Sequence, residues 1–270
     1  MSDLLLSEDR DRVRTLTLNR PDQLNAFSQA LYVALAEALR AADEDPEVAV
    51  VLLTGTGRAF SAGTDLIEMK ETASSAGEDA REDAGDGASH GFIGLLDSLV
   101  AFSKPLVVAV NGLGLGIGAT LLGYADLVFA STAARFKTPF TTLGVAPEAA
   151  SSFLFPRLIG RQNAAWMLMS GEWVSAAEAQ QMGLVWRLTD PDELLATAWD
   201  HAATLASRPI SSLVAVKETM TASLRPGIEA ARELENAKFA ELLGGPANIE
   251  ALVAFAEGRE PDFTKLPPGA

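Results

Sequence analysis

Apolar and polar positions recur along the chain with two different periods, and the switches between them predict the order of elements. VRTLTL, residues 13–18, alternates and predicts a strand with one buried face. NRPDQLNAFS follows with turn chemistry and ends at Ser28, a residue suited to cap a helix N-terminus. Leu31, Leu35 and Leu39 then line one face of a helix that stops near Asp45-Pro46. VAVVLLTG, residues 48–55, is apolar throughout and predicts a strand covered on both faces. A short helix is expected to begin near Thr64 or Asp65, after GTGRAFSAGTDL.

Residues 71–91 are acidic and small with few apolar anchors, which predicts a mobile loop, here expected to act as a lid. A helix is predicted from Phe92 to Phe102, then the strand PLVVAV, a loop with four glycines at alternate positions in VNGLGLGIGAT, and a second strand in DLVFAS. Beyond Pro156 the pattern is mostly helical. Ser175 caps a helix ended by Gly183, and helices over 192–206, 210–222 and 228–243 are separated by breaks at Pro209, Pro226 and Pro246. The shift near residue 200 divides the chain into a mixed α/β core, 1–200, and a helical module, 201–270.

Composition removes several classes of function. A chain of 270 residues with 48% hydrophobic residues can bury a full core. Its net charge of −15 repels nucleic acid, so no nucleic-acid partner is expected. The absence of cysteine excludes disulfides and thiolate metal sites and fits a cytoplasmic protein. MSDLLLSEDRDR has no secretory pattern. DEDPE at 43–47 reads as a helix terminus, and two histidines without ligand spacing give no metal site. Lys104 and Asp126 enclose 21 uncharged residues, a membrane-length run, but its opening proline, β-branched residues and Asn111-Gly112 favour a buried strand followed by a buried helix.

Two local motifs invite chemistry and lack its context. Gly114, Gly116 and Ala119 match a loose dinucleotide fingerprint, yet no acid lies between Asp126 and Glu148 to hold a ribose. Gly87-Ala88-Ser89-His90-Gly91 matches a nucleophile elbow but has no strand before it. What remains is a pair of similar corners, VVLLTGTGRAFSAGTDL and PLVVAVNGLGLGIGATLL, each running strand, small-residue loop, helix. Two such corners can aim two backbone N–H groups at one point and form an oxyanion hole.

These corners, with LNRPDQLNAFS, YADLVFAS, RFKTPFTTLGVAPE and EGREPDF, resemble the crotonase superfamily of enoyl-CoA hydratases and isomerases over about Val13 to Lys265. The resemblance implies a spiral of ββα units with a helical C-terminal trimerisation module, assembling as a homotrimer or a dimer of trimers. It implies an acyl-CoA thioester as substrate, no separate cofactor, and an oxyanion hole made by the N–H groups of Ala62 and Ile117. Ala26, Ser61, Ala62, Gly63, Thr64, Asp65 and Leu66 would receive coenzyme A, and Lys265 its phosphates. The two glutamate positions of hydratases hold Thr120 and Phe140. Pro147-Glu148-Ala149-Ala150-Ser151-Ser152 is instead similar to the P-E-G-x-S-S segment of peroxisomal-type 3,2-enoyl-CoA isomerases, with Ala149 in place of glycine. That similarity makes Glu148 the single base, with Phe140 and Phe153 keeping water away. A structural role is also open to Glu148, as an acid in the first turn of a helix over 149–159. A one-glutamate hydratase, an acyl-CoA hydrolase and an inactive acyl-CoA binder are the competing readings.

Overall fold

The computed structural model describes residues 4–65 and 91–267. Leu66, the expected lid up to residue 90 and most of the Ser89 motif lie outside the described residues. The strands, in chain order, are β1 (Leu5–Arg10), β2 (Val13–Leu18), β3 (Val50–Gly55), β4 (Ala59–Ser61), β5 (Leu106–Val110), β6 (Leu113–Leu115), β7 (Leu127–Ser131), β8 (Arg135–Lys137), β9 (Val174–Ser175) and β10 (Arg187–Thr189). The larger sheet has the order β1-β2-β3-β5-β7-β10, antiparallel at β1-β2 and parallel beyond. A smaller sheet runs β4-β6-β8-β9. Three successive strands of the large sheet, β3, β5 and β7, are thus each followed by a short strand of the small one. This is the repeating step of the spiral.

The continuous apolar strands owe their composition to cover on both faces. On β3, Val51 and Leu53 join one buried cluster while Val50 and Leu52 join the other. Helix α1 (Gln29–Glu44) closes the first side with Leu31, Leu35 and Leu39, and the Ser28 hydroxyl accepts the Leu31 N–H at 3.2 Å as its cap. Helix α2 (Phe92–Ala101) packs against α1. The run between Lys104 and Asp126 folds as β5, β6, the one-turn helix α3 (Ile117–Thr120) and a 3-10 turn over Leu121–Tyr124. Among the described residues, no single helix is long and apolar enough to cross a membrane.

The second half supplies α4 (Ser151–Leu158), α5 (Arg161–Ser170), α6 (Ala176–Met182), α7 (Leu194–Ala206), α8 (Ile210–Thr221), α9 (Arg225–Leu242) and α10 (Pro246–Glu257). Helix α6 carries the expected Ser175 cap, completed as a capping box by Glu178, and ends at Gly183. Helix α7 covers the second face of the large sheet with Leu194, Ala198, Ala202 and Ala206, so residue 200 falls within a helix of the core. Helix α9 starts at Arg225, three residues earlier than the pattern predicts, because Pro226 is tolerated in a first turn.

Candidate active site

The first corner is built by the segment before α1. Leu24 and Asn25 both adopt left-handed backbone, with φ of 51° and 56°, which turns the Leu24 carbonyl toward β4. There it accepts the Ala62 N–H at 2.9 Å, while the buried Asn25 amide donates to the carbonyls of Thr56 and Ala59. Ala62 lines the pocket, but its N–H is already spent, which corrects its expected role as an oxyanion donor. Gly63 donates to the Ser61 hydroxyl. Thr64 forms an isolated parallel bridge with Phe27, and both bonds of that bridge use its neighbours: Phe27 N–H to Gly63 C=O at 2.7 Å, and Asp65 N–H to Phe27 C=O at 2.9 Å. Such pairing points the N–H of Thr64 itself to the opposite side. Among the described residues it donates to nothing, and Thr64 lines the pocket.

The second corner begins at Gly116, whose φ is 54°. Gly116 donates to Lys137 and accepts from Ala119 and Thr120, so α3 opens immediately after it. The N–H of Ile117, in the first turn, has no partner among the described residues, as helix geometry requires. The glycines let the two corners meet backbone to backbone. A Cβ on Gly118 would stand 2.8 Å from the Ser61 carbonyl oxygen, and one on Gly63 would stand 3.0 Å from that of Leu115. Thr64 and Ile117 therefore face one cavity of about 140 Å³.

Glu148 lines the same cavity. Its Oε1 accepts the Thr120 hydroxyl at 2.5 Å, whereas Oε2 is buried with no partner among the described residues. Burial pushes its proton affinity up to about 8, against the opposing effect of the Thr120 hydrogen bond and with a small addition from the negative Glu235. No other titratable side chain lines the pocket among the described residues; Leu115, Phe140, Leu143 and Phe239 give it an apolar wall. Phe153, expected beside Glu148, packs instead with Leu154 and Ile228, beneath the Arg157 guanidinium. Phe140 is where the sequence reading put it.

The loop carrying Glu148 is not helical. Ala149 and Ala150 have φ of 60° and 53°, so the predicted helix over 149–159 begins only at Ser151. Each such left-handed residue costs about 1–2 kcal/mol without glycine, and neighbouring groups offset that strain. Ser151 donates N–H and hydroxyl to the Glu148 carbonyl, the Tyr124 hydroxyl donates to the Ala149 carbonyl, and Glu235 on α9 accepts from Ala150 and Ser152. Nothing in the sequence marks Glu235. One glutamate among the four of an amphipathic helix reads as solvent-facing, yet this one is buried.

Of the remaining residues named from the sequence, Ala26 is buried with its carbonyl accepting from Arg20, and Ser61 is buried in β4. Asp65 pairs with Arg20 at 3.1 Å. Lys265 lies exposed on the C-terminal 3-10 turn, paired with Asp262, and is not part of the pocket.

Two convergent N–H groups beside one buried carboxylate define a site for chemistry at a polarised carbonyl. The family model for enoyl-CoA hydratase/isomerase matches residues 8–266. The chain is 33% identical to the 1,2-epoxyphenylacetyl-CoA isomerase of Escherichia coli K12, over 98% of this chain and 99% of that one. It is 37% identical to the 2,3-dehydroadipyl-CoA hydratase of the same organism, over 97% and 99%. Among solved structures, an enoyl-CoA hydratase from Mycobacterium marinum is 59% identical, covering 80% of this chain and 98% of that one with a TM-score of 0.73. The chain belongs to the enoyl-CoA hydratase/isomerase family of the crotonase superfamily, whose members act on coenzyme A thioesters.

Proposed function

We propose that this chain is an enoyl-CoA isomerase that moves a double bond from C3 to C2 of an enoyl-CoA with Glu148 as its only proton carrier. The observation that supports this reading is the pocket's titratable content. Glu148 is alone there among the described residues, while Thr120 and Phe140 stand where the resemblance to hydratases would put two glutamates. Water addition needs one group to activate water and another to deliver a proton; a shift of a double bond needs one group that takes and returns the same proton.

The N–H groups of Thr64 and Ile117 hold the thioester oxygen and stabilise the dienolate. Glu148 takes a proton from C2, the electron pair moves through C3 onto C4, and the protonated carboxyl returns its proton to C4. An acid that releases its proton near pH 8 is matched to both steps at neutral pH. The apolar wall keeps the carried proton from exchanging with water. The same reading puts the exposed apolar side chains of α9 and α10, including Leu234, Leu252, Val253 and Phe255, at a contact between copies in a trimer or a dimer of trimers.

Product analysis with a 3-enoyl-CoA and a 2-enoyl-CoA tests the proposal. Interconversion of the two without hydration is the expected result. Formation of a 3-hydroxyacyl-CoA as the main product would replace isomerase by hydratase, and release of free coenzyme A would replace it by hydrolase.

A further inference from the structure

The C-terminal helix α9 reaches the Glu148 loop with one buried carboxylate. We propose that Glu235 is a positioning residue for Glu148, clamping the loop that carries the base and adding a negative charge behind it. The inference rests on Glu148 as the base of the proposed isomerisation.

The geometry is a three-point clamp. Glu235 Oε2 accepts the Ala150 N–H at 2.7 Å, and Oε1 accepts both the Ser152 N–H at 2.9 Å and the Ser152 hydroxyl at 2.5 Å. All three partners donate, so the ionised carboxylate, which only accepts, is the form that satisfies them. The clamped residues lie two and four positions after Glu148, on either side of the change from left-handed backbone to helix. Without the clamp the strained Ala149-Ala150 pair has a reason to relax, and Glu148 would move with it.

The charged surroundings are few. Among the described residues Glu235 is the carboxylate whose charge bears on Glu148, and the Tyr32 and Tyr124 phenols, which feel the charge of Glu148, stay neutral because burial raises their proton affinity. Burial raises the proton affinity of Glu235, and the Ser152 and Ala150 donors, with Arg232 one turn before it on α9, oppose that rise; Arg232 is itself paired with Asp97 of α2 at 2.7 Å. Phe239, four residues beyond Glu235 on the same helix, and Leu243, just past its end, line the cavity. One helix face thus holds the loop of the base at one end and a wall of the acyl pocket at the other.

Glu235→Gln keeps the size of the side chain, removes its charge and turns an amide donor toward one of the three donors. The protonated Glu148 carboxyl is followed by its infrared C=O band, identified by subtraction of the Glu148→Gln spectrum, while isomerisation of 3-hexenoyl-CoA is followed by product analysis. In Glu235→Gln the carboxyl midpoint should fall, because a like charge has been removed. Turnover should fall about ten- to a hundredfold through misplacement of the base. Ser152→Ala keeps the charge and removes one arm of the clamp; it should lower turnover about threefold or more with the midpoint unmoved. A Glu235→Gln protein with a lower melting temperature but an unmoved carboxyl midpoint would make Glu235 a structural cap and overturn the proposal, as would full turnover in Ser152→Ala. A shifted midpoint in an enzyme with no isomerase activity would instead remove the proposed reaction and leave the clamp standing.

Discussion

Glu148→Gln separates the proposed catalytic role of this residue from its structural effect, because the two respond to different variables. The substitution keeps the shape, so the Thr120 hydroxyl still has an oxygen to meet, but no proton can be carried. Turnover should fall by about 10² to 10⁴-fold, the usual worth of a general base. Acyl-CoA affinity should change little, since Thr64 and Ile117 contribute backbone N–H groups. Stability moves the other way. In the wild type the carboxyl has a proton affinity raised from 4.5 to about 8 by burial. Between those values the native state holds a proton that the unfolded chain has released, so wild-type stability falls as pH rises through this window. At about 1.4 kcal/mol per pH unit the accumulated cost reaches roughly 5 kcal/mol above pH 8 as an upper bound. The variant lacks this dependence. Its amide leaves a buried donor where Oε2 had no partner, a pH-independent cost of about 1–3 kcal/mol. The difference in melting temperature, variant minus wild type, should therefore climb from pH 5 to about pH 8 and level off above it. A flat difference across that range, or a variant that turns over at full rate, would refute the reasoning. A helix-dipole role alone predicts a loss of under about 1 kcal/mol with turnover intact.

For the wild-type enzyme, kcat/KM should rise with pH to a plateau above about 8 as Glu148 of the free enzyme ionises; a profile level from pH 6 to pH 9 would count against it as the base. Thr120→Val removes the Thr120 hydrogen bond to the carboxylate, so the midpoint of that profile should move upward and the rate at pH 7 fall about tenfold. Gly118→Ala sets a methyl group against the Ser61 backbone; chemical denaturation should show a loss of about 1–3 kcal/mol, and activity should drop because the two corners are forced apart. Sedimentation should give the mass of a trimer or hexamer at micromolar concentration, and a monomer would remove the contact proposed for α9 and α10.

The sequence made the larger sheet and its helices legible because their apolar periods are long and clean. It concealed β1, whose LLSEDR pattern buries only Leu5 and whose hairpin turns through Asp11 and Arg12, both at positive φ, without the usual asparagine or glycine. The small sheet was also hidden, since strands of two or three residues have no measurable period. Within the site, Glu148 was found through its neighbours Pro147 and Ser151-Ser152, while the donor of the first corner was placed at Ala62 and not Thr64. Small-residue content locates a corner; only the bonding of Leu24 and Phe27 says which of its N–H groups is left over. Glu235 was beyond reach, because its burial depends on an approach of α9 to a loop more than eighty residues earlier in the chain.

The bridge between Phe27 and Thr64 makes the proposed oxyanion donor a matter of counting rather than of spelling. Many side chains at position 64 would leave that N–H where it is. Adding or deleting one residue between β4 and Thr64 would instead exchange the roles of successive amides and hide the donor behind its own strand pairing. Over evolutionary time position 64 should therefore tolerate changes of identity, and the first corner changes of length hardly at all.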